Sequence, residues 1–413
     1  MRTPPVTALV VGGVSAACVL SAVPLAANGA STSPTPSERV VAAAAPTLQV
    51  SVVRRANGQP WALHVPWDTA FLPNGAMLVT ERTRKRIWLR SPRGRVRLVA
   101  DAPPGIWASY PGPSAETGLM SLAVDPDFRS NRRFYTCHGA NLRGGGHDIR
   151  VVAWRLNTRA TSARRTEVLV RGLPTRTGRH GGCRLEIDPR GWLWVGTGDA
   201  ATGVNPQRLT SLGGKVLRIN RFTGGPAQGN PYARAANRNQ RKVFTHGHRN
   251  VQGLAWRPGG GMWSVEHGPD IRDEVNRLVR GGDYGWNPVG GGRIYNEDVP
   301  MTDHNLPGRQ RSAKWTSGPT PAPSGAVWLT HPRWGAWQGR LAVAMLQDSS
   351  LRIMRFSGRN RLLGMQRPAA LDGTFDRLRS ATLGPRGVLY LTTSNSVGGG
   401  PAVDRVLRVV PGR

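Results

Sequence analysis

The sequence predicts an all-β chain: a single six-bladed β-propeller of four-stranded antiparallel blades, running from about Thr47 to the C-terminus. Three observations predict it. Six segments repeat one shape, an apolar strand, a Pro-x-Gly type turn and a second apolar strand. Their turn prolines recur at blade-sized intervals. No long amphipathic helical pattern interrupts them, while 52 Gly and 33 Pro supply turn chemistry.

The segments are "AFLPNGAMLVTE" from Ala70, "LAVDPDFRSNRRFYTCHG" from Leu122 with a longer turn, "LEIDPRGWLWVGTGD" from Leu185, "LAWRPGGGMWSVEHG" from Leu254, a degenerate "PRWGAWQGRLAVAMLQ" from Pro332, and "ATLGPRGVLYLTTS" from Ala381. Pro73, Pro126, Pro189 and Pro258 follow one another at 53, 63 and 69 residues. Pro258 and Pro385 lie 127 apart, two repeats with the Pro332 segment between them. Units of this length are too long for a solenoid coil and suit four-stranded blades with long loops. Each sheet then buries both faces against its neighbours, so Trp and aliphatic side chains belong between blades, and loops from distant repeats meet at one mouth of the channel.

Ahead of the propeller, Arg2 precedes the apolar run "VTALVVGGVSAACVLSAVPLAA" with small residues at its end, which predicts a signal peptide over 1–27. Residues 28–46 read as a flexible Ser/Thr/Pro/Ala-rich linker. The expected location is outside the cytoplasm, secreted or in the cell envelope, with no transmembrane segment after cleavage. Cys18 follows "SAA", a partial lipobox, so anchorage through Cys18 stays open. Loss of Cys18 would leave Cys137 and Cys183, an even pair in an oxidising compartment, and a disulfide between them is expected.

The net charge is +32, but 52 of the 56 basic residues are Arg and they are scattered. Without a basic run or a nucleic-acid motif, nucleic acid is excluded as a partner; attraction to anionic surfaces or small molecules remains.

Polar residues that a bare scaffold does not need flank the hairpins. "HGGCR" holds His180 and Arg184, and "FTHGHRNVQGLAW" holds His246, His248, Arg249, Asn250 and Gln252. "VEHGPDIRDEVNRLVRGGDYGW" holds Glu266, His267, Gly268, Pro269, Asp270, Asp273, Glu274, Asp283 and Tyr284. "DRLRS" holds Arg377 and Arg379, "SAETGLMSLAV" Glu116, and "AMLQDSS" Gln347. Singly, each reads as an ordinary loop or surface residue. Six-fold geometry would gather them at one mouth. There Arg377 and Arg379, alternating on one strand face, would join Arg249 to suit a ligand with several carboxylates. Main-chain carbonyls of Gly268 and Pro269 would suit a hard cation such as calcium.

These stretches, in this order and over nearly the whole mature chain, resemble the PQQ-dependent soluble glucose dehydrogenase and aldose sugar dehydrogenase family, also called glucose/sorbosone dehydrogenases. The resemblance implies a six-bladed propeller and the cofactors PQQ and Ca2+. It implies His180 as general base, taking a proton from the sugar C1 hydroxyl as hydride passes to PQQ, with Arg249 and Asn250 at the cofactor. Arg377 and Arg379 match the arginines that hold PQQ carboxylates. Gly268 and Pro269 match calcium ligands, with Asp273 in support. Glu274 and Tyr284 match ligands of a further calcium. Glu116 stands where glucose-oxidising members carry Gln, and Gln347 where the family carries a Lys that contacts the quinone. The expected partners are a sugar and an unspecified electron acceptor. A propeller that binds carbohydrate or a partner without catalysis is the alternative, favoured by Gln347. A calcium-dependent lactonase would need Asn, Asp and Glu ligands converging on the channel, where this sequence offers arginines.

Overall fold

The computed structural model describes residues 45–110, 116–290, 292, 294–396 and 400–412. The expected signal peptide, Cys18 and all but the last two residues of the expected linker lie outside them. The strands belong to the unit from Ala43 to Arg413. They form six antiparallel sheets, each a radial blade of a propeller.

Each predicted repeat is the innermost hairpin of a blade. Blade 1 comprises Pro66–Phe71, Met77–Glu81, Arg86–Arg90 and Val96–Ala100. Blade 2 comprises Leu119–Val124, Arg133–Asn141, His147–Leu156 and Ala163–Leu173, with the short strand Ile106–Trp107 added to Arg133–Asn141. Blade 3 comprises Gly182–Ile187, Trp192–Thr197, Lys215–Asn220 and Val243–His246. Blade 4 comprises Val251–Arg257, Gly261–Glu266, Glu274–Arg277 and Trp315–Thr316. Blade 5 comprises Pro323–Trp328, Leu341–Met345, Leu351–Phe356 and Leu362–Gln366. Blade 6 takes Leu378–Leu383, Leu389–Thr393 and Val406–Pro411 from the C-terminal end and Leu48–Val52 from the N-terminal end. Leu48 pairs with Pro411 and Val52 with Leu407, which closes the ring.

The turns follow from local chemistry. Gly75 and Gly191 adopt φ of +81° and +79°, the left-handed conformation that the tight Pro-x-Gly turns require. The longer turn of blade 2 holds a one-turn helix, Phe128–Asn131, and the degenerate turn of blade 5 a 3-10 segment, Pro332–Trp337.

Among the described residues the apolar core divides into six clusters, one per blade interface. Phe134 and Trp154 pack toward Leu78 and Ile87 of blade 1; Tyr135 and Val151 pack toward Leu185 and Val195 of blade 3. Trp194 and Val216 meet Leu254 and Met262; Trp263 and Val265 meet Trp328 and Phe356. Ala344 and Ile353 meet Leu389 and Leu407, and Val406 meets Met77 and Val79 across the closing interface. Large rings between sheets exclude water and lock neighbours together, as the sequence pattern requires.

The Cys137–Cys183 disulfide joins the second strand of blade 2 to the first strand of blade 3, with Cα atoms 5.5 Å apart.

Candidate functional site

A regular strand would alternate its side chains between the two blade faces. The innermost strands depart from that at one end. In all six blades the pairing between the first and second strands breaks register near the start of the first: Pro66/Asp68, Leu119/Leu122, Gly182/Arg184, Val251/Gly253, Pro323/Ala326 and Leu378/Ser380. Such bulges re-aim a side chain out of the pleat. Trp67, Met120, Gln252 and Arg379 fall inside four of them, and all four line a cavity of about 700 Å3. Arg377 lines it too, from just before the strand. The sequence reading placed Arg377 and Arg379 on one face of a regular strand. The bulge replaces that alternation: Arg379 is buried and Arg377 is exposed at the rim, yet both reach the same space.

His180 occupies the turn into blade 3. It is 2% exposed and takes φ of +52°, and Cys183 takes +74°. Left-handed backbone costs a non-glycine residue about 1–2 kcal/mol, so the surrounding structure must hold it. Gly198 makes the room: a Cβ there would lie 1.7 Å from the His180 carbonyl oxygen. His180 Nδ1 is 2.8 Å from Asp199 Oδ1, and Asp199 Oδ2 accepts from Trp286 Nε1 at 2.8 Å and Tyr295 Oη at 2.9 Å. A carboxylate held this way keeps the proton on Nδ1 and leaves Nε2 as the basic nitrogen. Nε2 has no hydrogen bond among the described residues. Glu116 Oε2 accepts from the His180 main-chain N at 3.1 Å and from Asn250 Nδ2 at 3.2 Å, and Asn250 Oδ1 accepts from Gly182 N at 3.1 Å. Glu116, His180 and Asn250 therefore form one network, of which Glu116 lines the cavity, as do Arg179 and Gly181 on either side of His180.

The lining is also cationic. Arg82, Arg377 and Arg379 line the cavity without an ion pair among the described residues. Burial lowers Arg82 to about 10, and burial together with Arg82, Arg377 and Arg184 holds Arg379 well below the usual guanidinium range. Arg82 Nε is buried with no partner; Arg379 reaches only Ser394 Oγ at 3.3 Å and Gln252 Oε1 at 3.4 Å. Crowded guanidiniums with orphaned donors are the chemistry of an anion site. Arg184 is spent elsewhere: it pairs with Asp68 Oδ2 at 2.8 Å and lies over Trp67. Gln347 stands exposed at the rim.

His267 lines the floor. Burial, then Arg249 and Arg379, pushes its imidazole down to about 3, so it is neutral, and its Nε2 has no partner. Arg249 is buried, donates from Nη1 to the His267 carbonyl at 3.2 Å, and pairs with Glu297, which also takes Arg179.

The Gly268–Pro269 turn is fixed from behind. Asp273 Oδ1 accepts from Gly268 N at 2.8 Å, and Oδ2 from Thr320 Oγ1 at 2.6 Å and Ala322 N at 3.0 Å. Burial still raises Asp273 to about 6. A Cβ at position 268 would lie 2.3 Å from the Ile271 carbonyl, so only glycine fits the turn. The Gly268 and Pro269 carbonyls accept no hydrogen bond among the described residues, which leaves two hard oxygen donors. No cluster of three or more His, Cys, Asp or Glu side chains positioned for a metal occurs among the described residues. Glu274 is committed to Asn276 at 2.9 Å and Thr302 at 3.2 Å, and burial beside Glu266 raises it to about 8. The Tyr284 hydroxyl donates to the Arg277 carbonyl at 2.6 Å, so of this pair Tyr284 would offer a cation only its main-chain oxygen.

The model of the glucose/sorbosone dehydrogenase family matches residues 63–402. The chain belongs to this family. Among glucose/sorbosone dehydrogenases, it is 28% identical over 360 residues to the aldose sugar dehydrogenase YliI of Escherichia coli K12, spanning 86% of this chain and 92% of that protein. A solved putative oxidoreductase (glucose dehydrogenase) of Thermus thermophilus is 35% identical, covers 88% of this chain and 100% of its own, and superposes with a TM-score of 0.72. The PQQ-bound aldose sugar dehydrogenase of Streptomyces coelicolor is 28% identical at a TM-score of 0.68, covering 89% and 99%. The family membership makes this chain a sugar dehydrogenase in class. Arg82, Asp199, Tyr295 and Glu297 escaped the sequence reading; Asp199 closes the "GTGD" end of the blade 3 repeat segment, where it passed as a turn residue.

Proposed function

We propose that the chain is an exported PQQ- and calcium-dependent dehydrogenase that oxidises an aldose or related sugar at C1 to the lactone, with His180 as general base. One observation carries this reading: a buried His180–Asp199 pair with a free Nε2 sits between Arg179 and Gly181, both of which line the cavity that three unpaired arginines also line. A cavity of about 700 Å3 suits a drug-sized acidic quinone. The residues fit the group. Arg82, Arg377 and Arg379 would hold carboxylates, Arg249 and Asn250 would lie at the cofactor with Glu116 and Gln347 beside it, and the Gly268 and Pro269 carbonyls would ligate calcium. When bound, PQQ supplies the hydride acceptor and calcium its polarisation.

The protein's own part is positional. His180 Nε2 accepts the proton of the C1 hydroxyl, and Asp199 stabilises the imidazolium that results. Glu116 holds the His180 turn to Asn250, and neutral His267 adds no competing charge beneath the site. The non-catalytic carbohydrate- or partner-binding propeller remains the second reading, because Gln347 lacks the charge that a Lys would place at the rim.

The test is direct. Purified protein with PQQ and calcium should reduce an artificial electron acceptor with at least one sugar of an aldose panel, and His180→Ala should lower the rate by about 10²–10⁴. Tight PQQ binding without turnover on any sugar would favour the second reading, and no PQQ binding would defeat the first.

A further inference from the structure

A segment inserted within blade 4 lies across the site. Two of its side chains, two residues apart, reach different functional groups. Tyr295 Oη donates to Asp199 Oδ2 at 2.9 Å and lies 3.3 Å from His180 Nδ1. Glu297 takes Arg249 with one carboxylate oxygen, at 3.1 Å from its Nε, and Arg179 with the other. Arg179 faces both the main cavity and a second one of about 310 Å3, lined by Arg249, Pro269, Asp270, Arg272 and Glu297 as well. Burial opposes ionisation of Glu297, yet Arg249 and Arg179 hold its carboxyl below the usual range. Two guanidiniums that would otherwise receive an incoming anion are thus already satisfied from within the fold.

We propose that Glu297 sets the charge class of the substrate, acting as a built-in counter-carboxylate that lets Arg179 and Arg249 face uncharged sugars and turns sugar acids away. The proposal rests on the sugar-oxidising reading for its location and on the ion-pair geometry for its content. A uronate carboxylate approaching either arginine meets the like charge of Glu297, which both arginines hold in place. A carboxamide at 297 keeps the shape, removes the charge and releases two bidentate-capable donors.

The experiment compares glucose with glucuronate on the wild type, Glu297→Gln and Glu297→Asp. Binding to the cofactor-free protein is measured by titration calorimetry, and kcat/KM on the PQQ- and calcium-loaded protein. In Glu297→Gln the preference for glucuronate over glucose should rise about tenfold or more by both measures, equivalent to about 1.4 kcal/mol. Glu297→Asp, which restores the charge, should return it toward the wild-type ratio. An unchanged ratio in Glu297→Gln, a wild type that takes glucuronate as well as glucose, or a Gln variant that takes up no glucuronate would each overturn the proposal. A wild type inactive on every sugar, whose Gln variant still gains glucuronate binding, defeats the dehydrogenase reading and leaves the charge selector standing.

Discussion

The placement of the His180 imidazole depends on a residue with no side chain. Gly198 lies where any Cβ would strike the His180 carbonyl oxygen, and also 3.1 Å from Asn250 Oδ1. Gly198→Ala should therefore displace the imidazole from Asp199. The expected result is a loss of sugar turnover of at least about 10²-fold, with the circular dichroism spectrum of the propeller retained. Wild-type turnover in Gly198→Ala would show that the turn relaxes freely. His180, Asn250 and Arg379 were legible because they stand in recognisable motifs beside repeat hairpins. Asp199 was not, because an Asp after Gly reads as turn chemistry, and its link to His180 exists only once two strands pair. Glu297 and Tyr295 were illegible for another reason: their segment has no periodicity, and only the fold carries it back over blade 3.

Elements show the same division. The innermost hairpins were readable because Pro-x-Gly turns and apolar alternation are local signals. The bulges were not, since a one-residue register break leaves no mark in a short strand; it sends Cys183 toward blade 2 and Arg379 into the cavity. The expected Cys137–Cys183 bridge is present and spans 46 residues of chain. A loop of that length contributes about 4 kcal/mol through the unfolded chain. Cys137→Ala/Cys183→Ala should lower the guanidinium midpoint by a corresponding amount, and mass spectrometry of the unreduced wild type should find two hydrogens fewer than the free thiols require. Equal midpoints would mean that the six apolar interfaces already carry the stability unaided.

At the level of the whole molecule, buried neutral imidazoles weaken the fold toward acid, while buried Asp273 and Glu274, raised to about 6 and about 8, act in the opposite direction. Burial, with Arg165 and Arg150 nearby, lowers His138 to about 4, and His267 is lowered to about 3. Both titrate near 6.5 once exposed. Below that value the unfolded chain binds protons at these two rings that the folded chain refuses, so their contribution to stability is complete above about pH 6.5 and is lost as pH falls toward 4. Each group costs about 1.4 kcal/mol per pH unit across that window. Between pH 7 and pH 4.5 the wild-type denaturant midpoint should drop relative to that of His138→Gln, because the opposing carboxyls are common to both proteins. Equal pH slopes in the wild type and His138→Gln would show that water or relaxation solvates this ring.

The strand Leu48–Val52 finishes a sheet begun more than three hundred residues later in the chain. A nascent polypeptide still short of Val406 therefore carries that first strand as an orphan, waiting through the synthesis of five blades for its mate. Until Val406–Pro411 emerges the sheets form an open fan with an unpaired rim, and a chain cut before Val406 leaves the fan unlatched.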